Sequence, residues 1–96
     1  MTAIEKTMTG FSIDADINFT NIVSLRDEGI KLISKGTCEI DLSHLKNSNA
    51  VSLALLLAWL RAANERHSKI TFLNASDSLR NISIAFGLKN IIELQR

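Results

Sequence analysis

A chain of 96 residues, 46% hydrophobic and 22% charged, has the length and balance of one globular domain over residues 1–96. Its formal net charge of +1 excludes both the basic stripe that nucleic acid requires and a polybasic anchor for an anionic membrane. Its single cysteine, Cys38, excludes an internal disulfide and suits a reducing compartment.

The N-terminal stretch MTAIEKTMTGFSIDAD lacks a basic segment followed by an apolar one, so no secretory signal is expected and the cytoplasm is the default address. Phe11, Ile13, Ala15, Ile17 and Phe19 alternate with Ser12, Asp14, Asp16 and Asn18, which predicts a strand with one dry face. Residues 3–8 are expected to pair with it as a short hairpin partner. Thr20 or Asn21 caps a helix running to about Ser34, with Ile22, Leu25, Gly29, Leu32 and Ile33 on one side. Lys31 and Lys35 lie near its end, and Gly36 is the expected C-cap. Cys38, Ile40 and Leu42 then alternate with Glu39, Asp41 and Ser43 as a second one-sided strand. A turn at His44–Asn49 follows, where Asn47, Ser48 and Asn49 offer side-chain hydrogen bonds to the backbone. The next helix spans Ala50–His67; its apolar run, Ala50–Leu60, is far shorter than the roughly 20 residues a bilayer requires. Lys69–Asn74 is a third strand. Ser76 or Asp77 caps a helix over Leu79, Ile82, Ala85 and Phe86 that Gly87 ends, and Ile91–Leu94 closes as a short edge strand.

Strands that alternate with helices predict an α/β fold with a mixed, mostly parallel sheet of four to five strands. Strands covered on both faces read as continuous apolar runs, whereas at least two here alternate. Helices are therefore expected on one face only, and the open face carries Asp14, Asp16, Glu39 and Asp41.

Little in the sequence carries chemistry. The four glycines are scattered and build no phosphate cradle. His44 and His67 are isolated, and Cys38 on a dry strand face reads as core packing, so no metal site and no cofactor is expected. Asp14 with Asp16, and Glu39 with Asp41, could bind a cation or do acid–base work. The simpler reading is a solvated sheet face.

Helix 50–67 is the informative element. Leu53, Leu56, Leu57, Leu60 and Ala63 form a core stripe, with Ala54, Arg61 and Glu65 opposite. Leu55, Trp59 and Ala62 fall on an adjoining arc with Ser52 and Arg66. Either the stripe is wide and fully buried, or Leu55 and Trp59 meet a partner, as Trp beside Arg does at binding hot spots.

The stretch EIDLSHLKNSNAVSLALLL, Glu39–Leu57, resembles the signature of STAS domains, the sulfate-transporter and anti-sigma-factor-antagonist modules. That signature is a strand ending in D-L-S, a short loop, then D-[ST]-x-G-L opening a helix with A-L-L-L. The ending SLRNISIAFGLKNIIEL is similar to the family's final helix, Gly-Leu turn and last short strand. Within the family, the compact length and the S-L-A-L-L-L run look most like the STAS subunit of Mla-type ABC transporters, which move phospholipid between the membranes of Gram-negative bacteria. The resemblance implies a non-catalytic cytoplasmic subunit that sits on the transporter's ATPase, peripheral to the inner membrane through that partner.

Where the family pattern has Asp, Ser or Thr, a small residue, Gly and Leu, this chain has Asn49, Ala50, Val51, Ser52 and Leu53. The position that anti-anti-sigma factors phosphorylate is Ala50, which has no hydroxyl, so no phosphorylation is expected there. Three functions follow as expectations. The first is docking on an ABC ATPase through Asn47, Ser48, Asn49, Ala50, Val51 and Ser52, flanked by Leu55 and Trp59. The second is an anti-sigma factor antagonist that binds a kinase-type anti-sigma factor without the usual switch. The third is a ligand-binding or enzymatic use of the acidic sheet face. Neither nucleic acid nor direct membrane insertion is expected; an exposed edge strand leaves a homodimer open.

Overall fold

The computed structural model describes residues 3–33 and 36–95. Four strands, β1 (Ile4–Lys6), β2 (Gly10–Ala15), β3 (Gly36–Leu45) and β4 (Ser68–Leu73), form one sheet in the order β1-β2-β3-β4. β1 runs antiparallel to β2 as the expected hairpin partner; β2, β3 and β4 are parallel. The crossovers carry α1 (Ile22–Leu32) and α2 (Ala50–Glu65), and α3 (Asp77–Ala85) follows β4. α2 lies centrally, packed on α1, α3 and β4. The fold is α/β, with the mixed, mostly parallel sheet that the alternation predicts.

The period-two pattern decides which face is covered. Phe11, Ile13, Cys38, Ile40, Leu42 and Phe72 point under the helices and are buried. Glu39 and Asp41 are half-exposed, and Asp14 is exposed, on the other face. Asp14 pairs with Lys46 at 3.3 Å, a solvent-exposed contact that adds little stability.

Several boundaries differ from the sequence expectation. β2 ends at Ala15, not Phe19, because the Asp16 carbonyl accepts from the side-chain amides of Asn18 and Asn21 and the chain turns there. Asp16 is thereby off the strand. Ile17 stays buried, but Phe19 is 87% exposed. Asn21 holds the N-cap place of α1, yet its Oδ1 accepts backward from the Asn18 N–H. The expected helix end at Ser34 and Lys35 lies outside the described residues. Gly36 does not cap α1; it opens β3 at φ +110°, a conformation that glycine adopts freely, and Ile33 is the cap. β3 runs on through His44 and Leu45 because a bulge sets Ser12 against Asp41 but Asp14 against His44.

The C-terminal half departs in three places. α2 ends at Glu65, and His67 takes φ +56° beyond the cap. In α3, Leu79 and Ser83 are buried, Ile82 is half-buried, and Ala85 and Phe86 are exposed because the helix stops there. The expected strand Ile91–Leu94 is reduced to one bridge, Leu94 to Phe72, since the Ile91 and Ile92 N–H groups both turn back to the Leu88 carbonyl. Around that bridge the Gln95 N–H donates to the Phe72 carbonyl (3.0 Å), and the Ala75 N–H to the Gln95 carbonyl (2.8 Å). This tail pairs with the free edge of β4 at its C-terminal end, beside Phe72.

α2 settles the question of its wide stripe. Leu55 and Trp59 are both 0% exposed, alongside Leu53, Leu56, Ala62 and Ala63, while Leu57 and Leu60 are only half-buried. A helix covered by a sheet below and a helix on each side needs this broad apolar arc. The Trp59 ring meets Phe11 edge-on, with centroids 5.1 Å apart at 87°.

Candidate functional site

The loops that follow β2, β3 and β4 come together at one edge of the sheet, where all three helices begin. In open parallel sheets this carboxyl edge is the usual place for recognition. Two side-chain ties join the loops, and a third ties the loop after β4 to β3. Asn47 reaches across to Ile17: its Oδ1 accepts from the Ile17 N–H at 2.9 Å, and its Nδ2 donates to the Ile17 carbonyl at 2.8 Å. The Ser48 and Ser76 hydroxyls are 3.3 Å apart. Asn74 Nδ2 donates to Asp41 Oδ1 at 3.0 Å.

The start of α2 is built from the next residues. Asn49 is the N-cap, and its Oδ1 accepts from the Ser52 N–H at 2.9 Å. The Ser52 hydroxyl, fully buried, lies 3.1 Å from the Asn47 carbonyl, to which it donates, and 3.2 Å from Asn49 Oδ1. Ser52 thus braces the loop from inside instead of facing a partner. Ser76 likewise caps α3, accepting from the Leu79 N–H at 3.1 Å.

Of the residues predicted to meet a partner, Asn49 and Ala50 are exposed, and Asn47, Ser48 and Val51 are half-buried. Leu55 and Trp59 are corrected to core: full burial under the neighbouring elements leaves neither side chain a surface to offer. The outward arc of α2 carries Ala50, Val51, Ala54, Leu57 and Ala58 in its first half and Arg61, Asn64 and Glu65 in its second. Its first half is therefore a low, apolar strip of small side chains.

Sequence reasoning missed Phe19 and Val23, both exposed, at 87% and 54%. They stand at the same edge, on the β2–α1 turn and the first turn of α1. The alternation placed Phe19 on a dry strand face; the asparagines at 18 and 21 were the signal that the strand had already ended. Asn18 Oδ1 accepts from the N–H groups of Thr20 (2.8 Å) and Asn21 (3.1 Å), so Phe19 projects from a turn pinned on both sides.

The titratable groups show no comparable assembly. Among the described residues, no three of His, Cys, Asp and Glu are grouped as a metal ion would need. Burial, and secondarily the Glu39 carboxylate, push the Cys38 thiol up. Hydrogen bonds from the Asn74 side chain and then from the Ser43 backbone hold the Asp41 carboxyl below its ordinary range. A depression of about 310 Å³ at the opposite edge, between the β1–β2 turn and Leu32, has Lys6 and the buried Cys38 as its titratable lining. Among the described residues, no helix is long and apolar enough to cross a membrane.

A four-stranded mixed sheet, helices on one face, and a capped loop-to-helix junction at the carboxyl edge of its second parallel strand define a STAS-type domain. Residues 3–94 match the family model described as "Mlab, STAS domain", and the chain belongs to that family. A comparison with curated proteins returned no match.

Proposed function

We propose that this chain is a non-catalytic STAS subunit that docks on the ATPase of a Mla-type ABC transporter for phospholipid, through the start of α2 and the loop before it. In this reading it supports assembly or activity of the complex, and reaches the inner membrane only through that partner. The observation that carries the reading is the exposed apolar start of α2, Ala50 with half-buried Val51, in a chain of the MlaB-type family. Phosphorylation regulates by adding about −2 of charge to a hydroxyl. Ala50 has none, so the junction works as a constitutive contact.

Co-purification of the tagged chain with the cognate ATPase tests this, alongside the double substitution Ala50→Asp and Val51→Lys. Capture by the parent chain and loss in the variant is the expected result. Undiminished capture by the variant removes this site, and recovery of a kinase-type anti-sigma factor in place of the ATPase turns the assignment to the signalling branch.

A further inference from the structure

We infer that Asn47 is a positioning residue, which locks the Phe19 turn to the start of α2 so that the two present one rigid docking edge. This rests on the docking reading above. The backbone pairing of β2 with β3 ends with the Lys46 N–H donating to the Ala15 carbonyl at 2.9 Å. One residue past Lys46, beyond the end of β3, the backbone turns away to begin α2. The Asn47 side chain takes over there: a primary amide presents an acceptor and a donor side by side, and both engage the Ile17 backbone. The side chain thus extends the ladder one step past the last main-chain pair, across 30 positions of sequence.

The consequence lies two residues on each side. Past Ile17, Asn18 and Asn21 pin the turn that holds Phe19 outward. Past Asn47, Asn49 caps the helix that carries Ala50 and Val51. Without the clasp, either half keeps its local bonds but loses its register to the other. A partner then meets two loosely related patches and must order them on binding, which weakens affinity without removing a contact.

Asn47→Asp gives a readout that a merely structural role would not move. The carboxylate still accepts from the Ile17 N–H but repels the Ile17 carbonyl. Protonated, it donates again and restores both bonds. In the isolated chain at pH 7, repulsion at the Ile17 carbonyl is expected to loosen the clasp, so that the Ile17 N–H exchanges faster than in the parent, while Thr20 and Asn21, bonded locally to Asn18, keep their protection. It should recover protection as pH falls through the ordinary carboxyl range, near ~4. Asn47→Ser, the second variant, loses protection at both pH values. Titrated with the cognate ATPase at pH 7, each variant is expected to bind roughly tenfold more weakly, with its melting temperature within a few degrees of the parent's. Parental exchange and parental affinity in both variants overturn the inference. If the ATPase fails to bind the parent chain, the docking reading falls, and the exchange profile of the isolated chain alone decides whether Asn47 holds the turn.

Discussion

The indole of Trp59 lies directly against the backbone of Gly29. A Cβ built on Gly29 would stand 2.2 Å from the indole Nε1 and 2.4 Å from Cε2. The same Nε1–H donates to the Arg26 carbonyl at 3.2 Å, within the helix that carries the glycine. α1 and α2 therefore approach through one residue with no side chain and one with the largest.

Gly29→Ala tests this contact. In an exposed helix the change favours folding by about 1 kcal/mol. Here it forces the indole out of its place, and overpacking of a tight core destabilises by about 1–3 kcal/mol. Set against that gain, a net loss of up to about 2 kcal/mol is expected in urea denaturation, and a gain in stability would show that the helices can move apart freely.

Trp59→Phe separates packing from binding. The smaller ring leaves a void and removes the indole bond that the Arg26 carbonyl accepts in addition to its place in the α1 ladder, so a loss of about 2–3 kcal/mol is expected in thermal or urea melts. Affinity for the proposed ATPase partner, measured well below the melting temperature, should stay at the parent value. A binding defect exceeding the fraction unfolded would return Trp59 to the partner surface.

Phe19→Ser is the converse case. The side chain is exposed, so the melting temperature should shift little, and solubility should improve. Capture of the ATPase should fall at least tenfold, as expected for an aromatic anchor on a pinned turn. Parental capture would confine the docking surface to α2.

Asn49→Asp restores the aspartate found in the family signature. Both residues cap well, but a carboxylate also opposes the positive end of α2, worth roughly 0.5 kcal/mol. Those donors lower its folded-state pKa below the unfolded value of about 3.9. The added stability is therefore present above that pH and lost as pH falls through the folded value, which melts at pH 7 and pH 3 can compare.

Asp41 carries the same sign in the parent chain. Its pKa is lowered first by the Asn74 side chain and then by the Ser43 N–H. Its contribution to stability is present above about 3.9 and lost as pH falls through its folded-state value. Asn74 sits at φ +60°, so Asn74→Gly removes the amide without straining the turn. A carbon-detected NMR titration should show the Asp41 carboxyl returning toward its ordinary range.

The order of elements and the one-sided sheet were legible because period-two and helical patterns report burial directly. Phe11, Ile13, Cys38, Ile40 and Leu42 all fall where alternation puts them. The cap at Asn49 was legible for the same local reason. Phe19 was not, because alternation runs on through residues 16–19 while two asparagines turn the chain, and periodicity is blind to side-chain bonds with carbonyls. Nor could spacing alone place Leu55 and Trp59, since a helix flanked on three sides and one meeting a partner carry the same wide apolar arc. The bond from Asn47 to Ile17 joins loops far apart in sequence, and only the fold brings it into view.

The tail of residues 94 and 95 along β4 governs how this molecule behaves in a crowd. With the Gln95 N–H withdrawn, the Phe72 carbonyl would face open solvent at the apolar end of β4, a place where another chain can pair. A truncation or a bulky fusion that pries this segment away is expected to increase self-association through the sheet edge, with the interior still folded.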